Sequence, residues 1–103
     1  MVKRKPHHSL SSVKAKFAEV ETVSITGAAV RTAAALGYDV AAVMAVVRRL
    51  SPTDFVKSET AHSPPNSRVW HDSYRTRDGD LLLYLKFAGE TLVELTLTSF
   101  KEA

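Results

Sequence analysis

The chain has 103 residues, a net charge of +3, 45% hydrophobic and 24% charged residues, and no cysteine. This suits one folded domain, expected over residues 1–103, with a modest core rather than a disordered tail. Without cysteine there is no disulfide scaffold, no thiolate metal site and no cysteine nucleophile.

The N-terminal "MVKRKPHHS" is basic and has no apolar run behind it, so it does not read as a secretory signal and a cytoplasmic location is expected. Leu10, Val13, Phe17 and Val20 recur at helical spacing and predict an amphipathic helix over 9–20 with Ser9 as N-cap. "TVSI" at 22–25 is short and β-branched, and reads as an edge strand. Thr26 caps a second helix, "GAAVRTAAAL", which Gly37 ends in a left-handed conformation. Asp39 caps a third, "VAAVMAVVRRL", with Val40, Val43, Met44 and Val47 as its core stripe. Arg48 and Arg49 occupy its last turn, where the helix dipole favours cations, and Ser51-Pro52 stops it. The apolar run "VAAVMAVV" falls far short of the roughly 20 residues that cross a bilayer, so no membrane partner is expected.

From Phe55 the pattern becomes that of strands. "FVKSET" and "VWHDSYR" read as strands separated by the loop "AHSPPNSR", since Pro64-Pro65 cannot donate to a ladder. Asp78-Gly79 marks a hairpin into "LLLYLKF", and the "AGE" turn leads to "TLVELTLTSF". Helices first and antiparallel strands second make an α+β protein, with helices packed on one face of a twisted sheet. Period-two geometry turns Leu81, Leu83, Leu85 and Phe87 toward the helices, and Leu82, Tyr84 and Lys86 outward. Val93, Leu95 and Leu97 share a face of the last strand. A basic, aromatic open face suits single-stranded RNA.

His7, His8, His62 and His71 follow no HxxxH or HExxH spacing, so neither a metal nor a cofactor is expected. Walker A, GxGxxG and GxSxG patterns are absent. What remains is acid–base and electrostatic chemistry without a metal. Cleaving RNA through its 2'-hydroxyl needs a base, cations for the phosphorane and an acid for the leaving 5'-oxygen. Lys57, His71, Tyr84 and Lys101, all within or ending predicted strands, offer those groups. For each alone, a solvated surface role is the competing reading. Trp70 reads as a core residue before a base-stacking platform.

"MVKRKPHHSLSSVK", "ALGYDVAAVMAVVRRLSPTDFVKS", "VWHDSYR", "YLKF" and "SFKEA", in this order, resemble the MqsR family of motility quorum-sensing regulator-type toxins from type II toxin–antitoxin systems. The resemblance implies a RelE-like fold and a sequence-selective mRNA endoribonuclease that works without the ribosome, cutting beside GC-containing triplets. It implies an MqsA-like antitoxin as protein partner, with promoter DNA reached only through that antitoxin. The family's "DF.KS" lysine falls on Lys57, its "YLK" tyrosine on Tyr84 and its "SFK" lysine on Lys101. His71 stands where relatives commonly carry glutamine, and a histidine, unlike glutamine, can carry a proton near neutrality. Arg68, Arg75 and Lys86 are the RNA-binding candidates. A non-catalytic module that binds a DNA-binding partner is the alternative. In either reading the exposed strand edges at "TVSI" or the C-terminal strand would accept an antitoxin strand.

Overall fold

The computed structural model describes residues 2–62 and 65–103, without the side chains of 61–67. The His62 side chain, one of the histidines weighed as a metal ligand, and the loop tip at 63 and 64 lie outside the described residues. The order is β1 (Val2–Lys3), α1 (Leu10–Lys16), α2 (Gly27–Ala35), α3 (Val40–Arg49), β2 (Phe55–His62), β3 (Pro65–Asp78), β4 (Leu81–Gly89) and β5 (Thr96–Glu102). The strands form one five-stranded sheet in the order β1-β2-β3-β4-β5, each pair antiparallel. Helices before sheet is the expected α+β arrangement.

Each helix begins where its local chemistry demands. The side chains of Ser9, Thr26 and Asp39 accept from the backbone N–H groups of Ser12, Ala29 and Ala42, satisfying donors that a helix start leaves open. Gly37, at φ +90°, takes the left-handed turn after α2. The first helix is shorter than its apolar spacing implies. Phe17 ends it, Ala18 N–H bonds back only to Ala15, and the Thr22 hydroxyl claims the Lys16 carbonyl at 2.6 Å. Val20, counted on the stripe, is therefore exposed.

The core lies between the helices and one face of the sheet. Val13 and Phe17 of α1, Ala29 and Ala33 of α2, and Val43, Met44, Val46 and Val47 of α3 pack on Tyr74, Leu83, Leu85, Phe87, Leu97 and Phe100. Fully burying each large apolar side chain contributes about 1.5–3 kcal/mol. No single helix among the described residues is long and apolar enough to cross a membrane; α2 and α3 would pass that test only as a pair bent by 92°.

The strands depart from the sequence reading in four ways. β1 was not foreseen: two residues pair with Glu59 and Ser58 at the edge of β2. Pairs Ala61–Asn66 and His62–Pro65 carry the β2–β3 hairpin into the segment read as loop, with Pro65 at a strand start, where a missing N–H is tolerated. Residues 91–95 form a turn rather than strand, with Glu94 and Leu95 N–H groups bonding to Thr91 and Leu92 carbonyls. Lys16 Nζ donates to the carbonyls of Leu92, Val93 and Leu95 at 2.8 Å each, which fixes this turn. Val93 consequently leaves the face of Leu95 and Leu97 and stands 89% exposed. Gly89 sits so close to this turn that an added Cβ would lie 2.9 Å from Leu95 Cα. Finally, "TVSI" and β5 are not two open edges. Leu97 N–H bonds to Ser24 O, Thr26 N–H to Leu97 O and the Thr32 hydroxyl to Phe100 O, so the chain itself covers that side of β5.

Candidate active site

Two bulges decide which side chains reach the open face. In β5 the register passes from Lys86–Ser99 to Phe87–Leu97, leaving Thr98 as an extra residue. Leu97 and Phe100 are both fully buried although three positions apart. Strict alternation from Leu97 would turn Lys101 inward; the bulge turns it outward, opposite Tyr84. β2 repeats the device. Phe55 pairs with Tyr74 and Lys57 with Ser73, so Val56 is the extra residue and Lys57, rather than Ser58, faces out. Phe55 packs edge-on against Tyr74 on the inner face, while Ser58 is buried there.

The open face is consequently built in rungs. One runs Glu59, His71, Ala88; the next Lys57, Ser73, Lys86, Ser99; the third Arg75, Tyr84, Lys101. Strands lie ~4.8 Å apart and successive rungs ~7 Å apart. Lys57, Arg75, Tyr84, Lys86 and Lys101 therefore line a single open concavity of about 450 Å³. Lys101 Nζ lies 5.4 Å from the Tyr84 ring centroid, and the Tyr84 hydroxyl shares a 2.9 Å hydrogen bond with Ser73 Oγ. Four cations around one phenol, outnumbering Glu102 and the terminal Ala103 at the rim, attract a phosphodiester and disfavour a metal ion. A larger hollow of about 640 Å³ lies between α1 and the 91–95 turn, but it is mostly apolar and its Lys16 is committed to backbone carbonyls. Chemistry, not size, marks the smaller concavity as the candidate site.

The sequence candidates divide on this map. Lys57, Tyr84 and Lys101 come together with Arg75 and Lys86. His71 is on the same face, one rung from Ser73 and directly opposite Glu59. Arg68 does not line the concavity; it lies near the hairpin end of β3, 3.4 Å from the Glu90 carboxylate. Two residues were missed. Glu59 Oε1 pairs with Lys57 Nζ at 3.3 Å and faces His71. Ser73, fully buried, sits beneath Tyr84 between Lys57 and Lys86. Glu59 lies outside the quoted motifs and Ser73 is an unremarked position inside "VWHDSYR", so only the strand register reveals them.

The inner face of the same strand holds a different cluster. Asp72, 1% exposed, accepts from the backbone N–H groups of His7 and His8 at 3.0 Å each and from the Ser58 hydroxyl. His8 Nε2 donates to the Gly89 carbonyl at 3.0 Å, and Lys3 Nζ to His7 Nδ1 at 3.3 Å. His7 stacks on Trp70, and Lys3 Nζ lies 4.1 Å from that ring centroid. The adjacent histidines thus tie the N-terminal segment to the sheet. Among the described residues, no group of three or more His, Asp or Glu side chains gathers to hold a metal ion.

A model of the family described as motility quorum-sensing regulator, toxin of MqsA, matches residues 5–102. The chain belongs to this toxin family. It is also 37% identical over 102 residues to the mRNA interferase toxin MqsR of Escherichia coli (strain K12), covering 99% of each chain. The toxin's cationic concavity and Asp72 clamp both fall inside the matched span.

Proposed function

We propose that this toxin is a metal-independent endoribonuclease that cuts mRNA without the ribosome, at GC-containing triplets, and that an MqsA-like antitoxin neutralises it. The observation that carries this reading is the convergence of Lys57, Arg75, Lys86 and Lys101 around Tyr84 on an otherwise open sheet face. Lys57 and Lys101 hold the scissile phosphate and stabilise the charge that grows on it. Tyr84 and His71 share proton transfer, one at each side of the phosphorus. Arg75 and Lys86 track neighbouring phosphates, and Arg68 extends this basic surface at the hairpin end of the sheet. Membership of the MqsR toxin family and likeness to an mRNA interferase support the same substrate and the same class of partner.

Incubating the purified chain with a long RNA in a chelator tests the chemistry. Cleavage should persist and leave 2',3'-cyclic phosphate and 5'-hydroxyl ends, with cut sites sharing a GC-containing triplet. A strict magnesium requirement with 5'-phosphate products would refute the mechanism. Intact RNA, with antitoxin binding retained, would favour the binding-module reading.

A further inference from the structure

Ser73 is a polar residue with no access to solvent on a face whose other residues are half-buried or exposed. Its position on β3 points it outward, yet it is 0% exposed because longer side chains cover it. Its strand neighbours are Lys57 and Lys86, while Tyr84 pairs with Arg75 one rung away. The Tyr84 side chain must therefore lean diagonally to bring its hydroxyl 2.9 Å from Ser73 Oγ. Lys101, on the opposite neighbour of β4, faces the same ring. The phenol is held between an ammonium on one side and a buried hydroxyl on the other.

Two hydroxyls that share one hydrogen bond leave one proton over. If Tyr84 donated to Ser73, its proton would be occupied and useless to a substrate. If Ser73 donates, the Tyr84 proton is free to point into the concavity, and the phenol oxygen is already stabilised for losing it. The lysines around Ser73 supply only donors, so they favour oxygen lone pairs turned toward them and leave the choice of proton to the pair.

We propose that Ser73 is a positioning residue that donates to the Tyr84 hydroxyl and thereby makes Tyr84 the acid for the leaving group. This rests on the reading of Tyr84 as a proton-transfer residue and assigns it a side of the reaction. His71 takes the proton of the substrate 2'-hydroxyl, the 2'-oxygen bonds to phosphorus, the bond from phosphorus to the 5'-oxygen breaks, and the Tyr84 proton moves to that 5'-oxygen. The phenolate left behind accepts the Ser73 hydrogen bond until solvent returns a proton.

The test compares an ordinary RNA with one carrying sulfur in place of the scissile 5'-oxygen, since a thiolate leaves without being protonated. Ser73→Ala should lower kcat on the oxygen substrate about tenfold, the worth of one ordinary hydrogen bond, with KM unchanged. It should leave the sulfur substrate unaffected and add nothing in a Tyr84→Phe background. Ser73→Cys, which keeps the volume but donates weakly, should show a smaller loss of the same selectivity. Equal slowing of both substrates by the Ser73 variants, an undiminished effect in the Tyr84→Phe background, or no effect would overturn the proposal. Tyr84→Phe slowing both substrates equally would instead overturn the assignment of Tyr84 as acid.

Discussion

The two faces of β3 carry opposite kinds of work. Trp70, Asp72 and Tyr74 point toward the helices and the N-terminal segment, where they are buried or half-buried and bind the fold together. His71, Ser73 and Arg75, interleaved with them, point to the open face. A continuous run such as "WHDSYR" is thus two sets of residues one position out of phase. The lesson is that the sharpest-looking motif in the chain is half scaffold and half open face. Asp72, an acid between a histidine and a serine, points away from the open face and satisfies three donors from the N-terminal segment and β2.

Breaking each face separately should separate stability from activity. The largest effect is expected on the open face. Lys101→Ala should lower cleavage about 10²–10³-fold, as loss of one transition-state donor does, while changing stability by less than about 0.5 kcal/mol because the side chain is exposed. Single-turnover rates beside chemical denaturation check both halves. Asp72→Ala should do the reverse. It strands three donors and should cost about 3 kcal/mol of stability, with the rate per folded molecule nearly preserved; a rate loss larger than the folded fraction explains would move Asp72 to the site.

Smaller effects sharpen the same division. His71→Gln should keep activity within about tenfold, a difference of roughly 1.4 kcal/mol, and flatten the pH–rate profile near neutrality, where histidine ordinarily titrates. An unchanged profile would remove His71 from proton transfer. The smallest effect belongs to the inner face. The Tyr74 hydroxyl is buried with no hydrogen-bond partner among the described residues, and burial, helped by the nearby Asp72 charge, pushes its phenol above the ordinary 10.0. The unfolded chain then loses this proton first, the folded chain holds more protons, and stability should fall as pH climbs past about 10. Tyr74→Phe should add about 1 kcal/mol and lessen that alkaline decline. What remains should come from Tyr38, whose phenol is raised by its hydrogen bond to Asp78. Thermal melts across pH 8–11 follow both.

Much of this architecture is legible in the chain because it is set locally. Ser9, Thr26 and Asp39 cap helices through bonds three residues away, and the alternation of Leu83, Leu85 and Phe87 fixes the buried face of β4. What was not legible depends on register. Neither bulge contains glycine or any other local mark, so nothing near Lys57 or Lys101 announces that the alternation shifts there. They were singled out for their chemistry and by resemblance, and the bulges supply the physical reason that both reach the open face. Glu59 and Ser73 were invisible for a related cause, since each acquires meaning only from the residue across the strand. β1 escaped because two residues carry no periodicity. The start of β5 was misplaced because Lys16, 76 to 79 residues away, holds the preceding turn.

The Asp72 clamp also orders events in time. The amides it accepts from belong to residues 64 and 65 positions earlier, so neither β1 nor the entry to α1 can settle until β3 has formed. Contacts of such separation are slow to close, because the intervening loop must lose its entropy first. The helices, 7, 9 and 10 residues long, are too short to persist before the sheet they pack on. The N-terminal segment waits, and Lys101 joins Tyr84 only after β5 docks on β4. A half-made toxin therefore has neither its anchor nor its cationic concavity, and the cell that makes it meets a finished nuclease only when the last strand is in place.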